Sequence, residues 1–512
     1  MSESLRRCEE ARQGNGHEMR RLAWLPIGMG LLGAVTCSAQ ETPVPEPGAP
    51  ASHVRLGVER LTLPGGERMG LAGTSYLVDA IADRLSIGPA VYASVSGQRG
   101  GFYTLGGELE WRHPILGPFG VELGLYAGGG GGGGAPQGGG LMLRPHAGVS
   151  WNVGPGSLGL SLSRVRFPNG RIDSTQLGLV ATIDTTFRAV PVDSPSSGAP
   201  AGERSGLGFD RVVAVAGAYR TRSGGLLSGG APLPSTIGTV GIRAERGWGH
   251  EAYWGIEANG AANGRVAGYA EYLATLGMNR ELIPDRLDVG ARVALGTGGG
   301  GGLPVGGGLL AKASILTTLR LASDQAVVLE AGFVDAPQGR FRASQGSIAW
   351  AWILDGPGRG APPPPTRMEF AAGIEAVDVA RLDGQAHRIT ADLLKISRFV
   401  SPHAYLSGQL QSAVSGGAGG YSAGFFGLGW RQPVFDSAWH ASAELMAGAG
   451  GGGGVTSGGG LAQAMIFAGC QLSPSLLLSL GAGRVQSLRR SFGSNVVDAS
   501  LTFVYGKTDR AD

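Results

Sequence analysis

The chain has 512 residues, 16% of them charged, and a formal net charge of +3. So small a charge does not point to nucleic acid, and a soluble globular domain would carry roughly 25% charged residues. Mean hydropathy is only +0.06, and no window holds the ~18 consecutive apolar residues that a spanning helix needs, which excludes a helical membrane bundle.

Met19-Arg20-Arg21, the apolar stretch Leu22 to Val35 and the small residues Cys37-Ser38-Ala39 before Gln40 have the layout of a secretion signal. Residues 1–39 are therefore expected to be a cleaved signal region, with Met19 a candidate true start, and residues 40–52 a Pro-rich spacer. Cys8 and Cys37 fall within the signal region. Cys470 alone remains, which excludes an internal disulfide and metal sites built on cysteine.

From His53 onward the chain reads as strands of about 10–15 residues broken by Gly, Pro, Asn and Asp, a pattern that alternation of period two identifies. Leu177, Leu179, Ala181, Ile183 and Phe187 share one face, opposite Gln176, Gly178, Thr182 and Asp184. Val497, Ala499, Leu501, Phe503 and Tyr505 do the same opposite Asp498, Ser500 and Thr502. Long strands with one apolar face fit either a large soluble sandwich or a membrane barrel, and the signal region favours the barrel.

Glycine contributes 94 residues without a collagen period, and part of it forms a repeat. Gly130 to Leu141 (GGGGGAPQGGGL), Gly298 to Leu309 (GGGGGLPVGGGL) and Gly450 to Leu461 (GGGGGVTSGGGL) match one pattern. Pro168-Asn169-Gly170-Arg171 with Gln176 corresponds to Pro337-Gln338-Gly339-Arg340 with Gln345, and Trp111-Arg112-His113-Pro114 to Trp430-Arg431-Gln432-Pro433. The chain thus divides into repeat 1 (residues 53–190), a linker (191–209), repeat 2 (210–354), a Pro-rich linker (355–367) and repeat 3 (368–512), each with about eight strand-like segments.

The signal region, the alternating strands and the closing Val497-x-Ala499-x-Leu501-x-Phe503-x-Tyr505 resemble bacterial outer-membrane, porin-like β-barrel proteins. The resemblance implies insertion by the barrel-assembly machinery and contact with outer-membrane lipid and lipopolysaccharide. The expected fold is all-β, a transmembrane antiparallel β-barrel architecture, either three tandem eight-stranded barrels or one ring of about 24 strands. The two long linkers favour separable units. The glycine-heavy inward positions argue the other way, since they leave little bulk to fill a small lumen.

For chemistry, parity along the strands turns Arg55, Glu59, Glu108, Glu122, Arg144, Asp184, Asp288 and Glu444 inward as lumen-lining residues, with His146 on the same polar face. Such groups plug a narrow barrel and line a wide one. The glycine runs lack a following Gly-Lys-Ser/Thr and lead into strands, so they read as hairpin tips with freedom for positive φ and not as phosphate loops. They could also pack together or contact a glycan. His440, Ser442 and Glu444 share one strand face, and the His-x-Ser spacing resembles that of outer-membrane lipid A deacylases, which makes them a candidate catalytic set. The reading is a non-enzymatic outer-membrane channel, transport or envelope-structural protein without cofactor or metal. The alternatives are an export component for a surface polysaccharide or secreted polymer, a lipid-modifying enzyme and a soluble periplasmic β-repeat protein.

Overall fold

The computed structural model describes residues 51–82, 84–187, 192, 209–248, 251–354, 366–434, 438–489 and 492–507. The expected signal region, most of the spacer and most of both linkers lie outside them. Every helix or strand among the described residues is a strand. The first eight are β1 (Ala51–Thr62), β2 (Arg68–Ala82), β3 (Leu85–Ser96), β4 (Tyr103–Leu116), β5 (Phe119–Gly131), β6 (Met142–Val153), β7 (Gly156–Arg166) and β8 (Asp173–Thr186). Next come β9 (Arg211–Thr221), β10 (Thr236–Trp248), β11 (Ala252–Ala261), β12 (Ala270–Ile283), β13 (Leu287–Gly299), β14 (Leu309–Ala322), β15 (Gln325–Asp335) and β16 (Arg342–Ile353). The last are β17 (Thr366–Ala380), β18 (Ala386–Phe399), β19 (Ala404–Ser415), β20 (Ser422–Val434), β21 (Trp439–Gly452), β22 (Val455–Ser473), β23 (Leu476–Ser487) and β24 (Gly493–Lys507).

Each set of eight closes on itself: β1 pairs with β8, β9 with β16 and β17 with β24, all antiparallel. The choice between one ring and three is thereby decided in favour of three barrels. Closure leaves no free sheet edge, the condition under which strands can sit in lipid with every backbone group paired.

The alternation read from the sequence is an alternation of outside and inside, with apolar residues outside. Leu177 and Leu179 on β8 are 67% and 62% exposed, whereas Gln176 and Thr182 on the other face are buried. On β24, Val497, Leu501 and Phe503 are exposed, and Asp498, Ser500 and Thr502 are buried. Soluble domains bury aliphatic side chains and expose charge; these barrels do the reverse, as membrane barrels do.

The two ends of the barrels differ. At the end holding the first barrel's termini, β4 passes to β5 through residues 117–118 and β6 to β7 through 154–155. At the other end, residues 97–102 and 132–141 join β3 to β4 and β5 to β6. Every tryptophan among the described residues (Trp111, Trp151, Trp248, Trp254, Trp350, Trp352, Trp430 and Trp439) lies in the half of its strand nearest the terminal, short-turn end.

The glycine runs hold the three barrels in a ring. The loop between the third and fourth strands of each barrel packs on the glycine run of the next. Gly100 N–H donates to Gly306 O (2.8 Å), Gly460 N–H to Ala262 O (3.0 Å) and Gly420 N–H to Gly130 O (3.0 Å), so barrel 1 meets 2, 2 meets 3 and 3 meets 1. Gly101, Gly268 and Gly420 hold equivalent places with φ of 85°, 86° and 90°. A Cβ on Gly101 would strike the backbone of Gly299 and Gly300, one on Gly268 that of Gly451 and Gly452, and one on Gly420 that of Gly132. Glycine is required there twice over, by a left-handed φ and by backbone-to-backbone approach. Where the runs converge, the rings of Tyr103 and Tyr272 pack edge to face at 5.0 Å between barrels 1 and 2.

A substitution separates the two requirements. Gly384, at φ 79°, has nothing within 4 Å of an added Cβ, so Gly384→Ala should cost only the ~1–2 kcal/mol of a left-handed alanine. Gly268→Ala should lower the melting temperature of the detergent-folded protein clearly further. Equal shifts in circular-dichroism melts would mean that the ring contact is loose.

Candidate functional site

Because side chains alternate along a strand, every second residue of eight strands converges on the barrel axis, and an eight-stranded interior is only wide enough for side chains. In barrel 1 that interior is a charged network. Arg55, 2% exposed, donates from Nη2 to Glu122 (2.8 Å) and lies 2.9 Å through Nε from Glu110 and 3.6 Å through Nη1 from Glu108. Arg144 grips Glu59 with two bonds of 3.0 and 2.9 Å, and Ser163 donates to the same carboxylate at 2.6 Å. The Arg144 guanidinium also lies 4.8 Å over the Tyr92 ring. This planar two-point pairing is what a guanidinium does better than an ammonium.

Barrel 2 repeats the principle with other residues. Arg243 donates to Glu330 (2.9 Å) and Glu245 (3.3 Å), Arg292 bridges Glu257 and Glu330, and Lys312 joins Glu257 to Glu271. Tyr219 and Tyr269 each donate to Glu271 at 2.6 Å. In barrel 3, Lys395 donates to Glu444 at 3.0 and 3.1 Å, and Arg431 and Arg367 both hold Glu369.

Toward the loop end each network gives way to an apolar plug. In barrel 1, Leu61, Met69, Phe102, Tyr126, Met142 and Phe167 belong to it, and barrels 2 and 3 have counterparts around Tyr269 and Tyr421. A cavity of about 20 Å³ beside Lys395, Tyr405, Ser442 and Glu444 is room for about one water. The lumens are filled, not bored.

Of the residues singled out in the sequence, Arg55, Glu59, Glu108, Glu122 and Arg144 meet inside barrel 1, Asp288 lines barrel 2 and Glu444 barrel 3, all buried. Asp184 does not line the lumen proper. Its side chain is 56% exposed, 3.3 Å from Arg112, at the level of the short β6–β7 turn, where Asp184 N–H donates to Pro155 O. Glu110, His53 and nearly all of the barrel 2 network were not singled out, although Glu110 follows Glu108 by two residues and so shares its face. His440, Ser442 and Glu444 do share a face of β21, without the geometry of nucleophile and base. Ser442 Oγ accepts from Arg431 (3.2 Å), Glu444 is held by Lys395 and Tyr405, and buried His440 Nε2 has no partner.

Glu108, Glu110 and His146 bring their ligand atoms within 4.8 Å of one another, the spacing of a metal site. The Arg55 guanidinium already stands against both carboxylates and supplies the positive charge that a metal would.

Deleting one partner of a buried pair strands the other, which costs about 3–5 kcal/mol, whereas replacing both by apolar groups is far cheaper. Arg144→Met should therefore destabilise barrel 1 by about that amount. The double variant Arg144→Met/Glu59→Leu should recover a large part of it in urea titrations of the folded protein. A double variant no more stable than Arg144→Met would show that the pair is not the unit of stability.

No family model matches the chain, and no curated protein matches it. Similar solved structures include OccK2 (OpdF) of Pseudomonas aeruginosa, 10% identical over 90% of this chain and 98% of that one, with a TM-score of 0.22. Others are the ferric enterobactin receptor PfeA, 11% identical over 88% and 81% with a TM-score of 0.27, and the siderophore receptor PirA from Acinetobacter baumannii, 9% identical over 89% and 80% with a TM-score of 0.27. Scores this low fall well short of a shared overall architecture. The closed three-barrel fold stands on its own pairing.

Proposed function

We propose that the protein is an exported component of a bacterial outer membrane, of the channel, transport or envelope-structural class, and that in the form described here it is a closed scaffold. The observation that carries this reading is the inverted polarity: Leu445, Ile466, Ile315 and Phe333 are 67–71% exposed outside, while arginine and glutamate are buried inside. A soluble periplasmic protein would leave that apolar exterior in water, at a cost of about 25 cal/mol per Å². The one-sided tryptophan band and the short turns beside it fit one interface of a bilayer, with the longer glycine-rich loops on the opposite side. Lipid and lipopolysaccharide would then contact the exterior, and the barrel-assembly machinery would insert it.

The filled lumens favour the structural member of that class. Passage of a surface polysaccharide or secreted polymer through any barrel would require displacing both the ion-pair network and the apolar plug above it. The transport reading therefore needs a second, open conformation.

The mature protein should stay with outer membranes through a carbonate wash, migrate faster on gels unboiled than boiled, and give no steady unitary conductance in planar bilayers. Release by carbonate would overturn the membrane reading; steady conductance steps would instead overturn the closed lumen. Leu445→Arg, mid-strand on the outer face, should cost about 2–4 kcal/mol of insertion, read as a fall in folded yield in lipid vesicles.

A further inference from the structure

The three lumens are built to one plan, so a departure in one of them stands out. Ser174 Oγ accepts from Thr62 N–H at 3.0 Å and Ser494 Oγ from Asp378 N–H at 3.2 Å, which aligns β1 and β8 with β17 and β24. On that alignment the facing pair Glu59 and Gly178 of barrel 1 corresponds to the facing pair Glu375 and Asp498 of barrel 3. The matching tract Pro168–Gln176 and Pro337–Gln345 puts Ser347, facing Gly217, at the same place in barrel 2. Barrel 1 thus has one acid there, barrel 2 none and barrel 3 two. The facing carboxylates of barrel 3 stand on directly opposed residues, whose Cβ atoms are roughly 5 Å apart in such a pair.

The cation that serves this region is also missing in barrel 3. Met142, Leu310 and Leu461 pair with Gly128, Gly296 and Gly448, each two residues before its glycine run. Two residues on stand Arg144, Lys312 and Gln463. Arg144 holds Glu59 and Lys312 holds Glu257 and Glu271. Gln463 reaches Glu375 with its amide nitrogen at 3.1 Å, joined by Gln409 at 3.3 Å, and brings no charge. The other cations of this lumen already hold acids: Lys395 binds Glu444 and stands near enough to Asp498 to act on its charge without bonding it, and Arg431 and Arg367 bind Glu369.

Two oxygens are left over. Asp498 Oδ1 and Gln463 Oε1 are buried without a hydrogen-bond partner, on residues that are each 2% exposed. The Gln463 amide sits against Glu375, so its free oxygen lies within a few ångströms of the acid pair. Val377 and Val496, two residues along from Glu375 and Asp498, belong to the apolar plug above, so the site is closed from the loop end.

We propose that Glu375, Asp498 and Gln463 form a cation site inside the third barrel, which takes the place of the Arg144 or Lys312 charge of its neighbours. The donors are all oxygen, which selects a hard cation over zinc or copper. Two carboxylates match a divalent charge. Calcium accepts irregular sets of oxygens in protein cages, whereas magnesium sheds its waters reluctantly, so calcium fits a dry lumen better.

The test uses the full-length protein, unfolded in urea and refolded into detergent with calcium or with a chelator. Wild-type protein should retain one calcium ion per chain by elemental mass spectrometry and melt several degrees higher when refolded with calcium. Gln463→Lys, which installs the charge that barrel 2 carries, should fold, retain no calcium and melt alike in both conditions. Asp498→Gly, the residue of barrel 1, should lose the ion as well and serves if the lysine does not fit. The proposal is overturned if wild-type protein holds no calcium and melts identically with chelator, for then a proton neutralises the pair. It is equally overturned if both variants bind calcium as the wild type does, for then the ion sits elsewhere.

Discussion

An eight-stranded sheet closed on itself leaves an interior with room for side chains and for little else. The remaining features follow from that constraint. An apolar exterior forces the polar half of each alternating strand inward, so charged groups must share a narrow dry space. Most of them persist there in ion pairs, since an unpaired buried charge costs several kcal/mol, and the facing acids Glu375 and Asp498 of barrel 3 are the exception. The guanidinium of Arg55 among three glutamates and the two-point grip of Arg144 on Glu59 are the form that pairing takes.

A second layer of organisation acts outside the lumens. Three sheets cannot approach closely while their ends carry side chains. At the contact points the chain dispenses with them, so that Gly101, Gly268 and Gly420 lay bare backbone against bare backbone. Hydrogen bonds between main-chain groups, as from Gly100 to Gly306, then join side-chain contacts such as that of Tyr103 with Tyr272 in holding the barrels together.

Much of this was legible in the sequence. Period-two alternation gave the strands and their faces, and the repeated glycine pattern with its flanking matches gave three eight-strand units. Parity placed Glu108, Glu122 and Glu444 on the inner face. What stayed hidden depended on long-range pairing. Whether β8 returns to β1 or passes on to β9 is a question of register, and alternation is the same in both cases. Glu110 shares the face of Glu108, yet its partners Arg55 and His53 stand on a strand more than fifty residues away. Counting from the glycine runs sets Ala464, not Gln463, beside Arg144 and Lys312. Only the strand pairing, with Leu461 opposite Gly448, exposes the missing cation. His440, Ser442 and Glu444 show the converse: the shared face was legible, but the Arg431 contact to Ser442 was not.

The contact between successive barrels is head-to-tail: loop meets glycine run, and the two surfaces differ. Such an interface closes into a ring only when the turn per step divides a full circle, and otherwise it propagates as an open chain. Here three steps bring the loop of barrel 3 back to the run of barrel 1. A gene copy with two units would leave one loop and one run unmatched, and a copy with four would have no place for the last. Unequal recombination among these repeats would therefore yield proteins that recruit one another through their unmatched ends. The geometry of a few glycines thus fits a ring of three barrels and no other number.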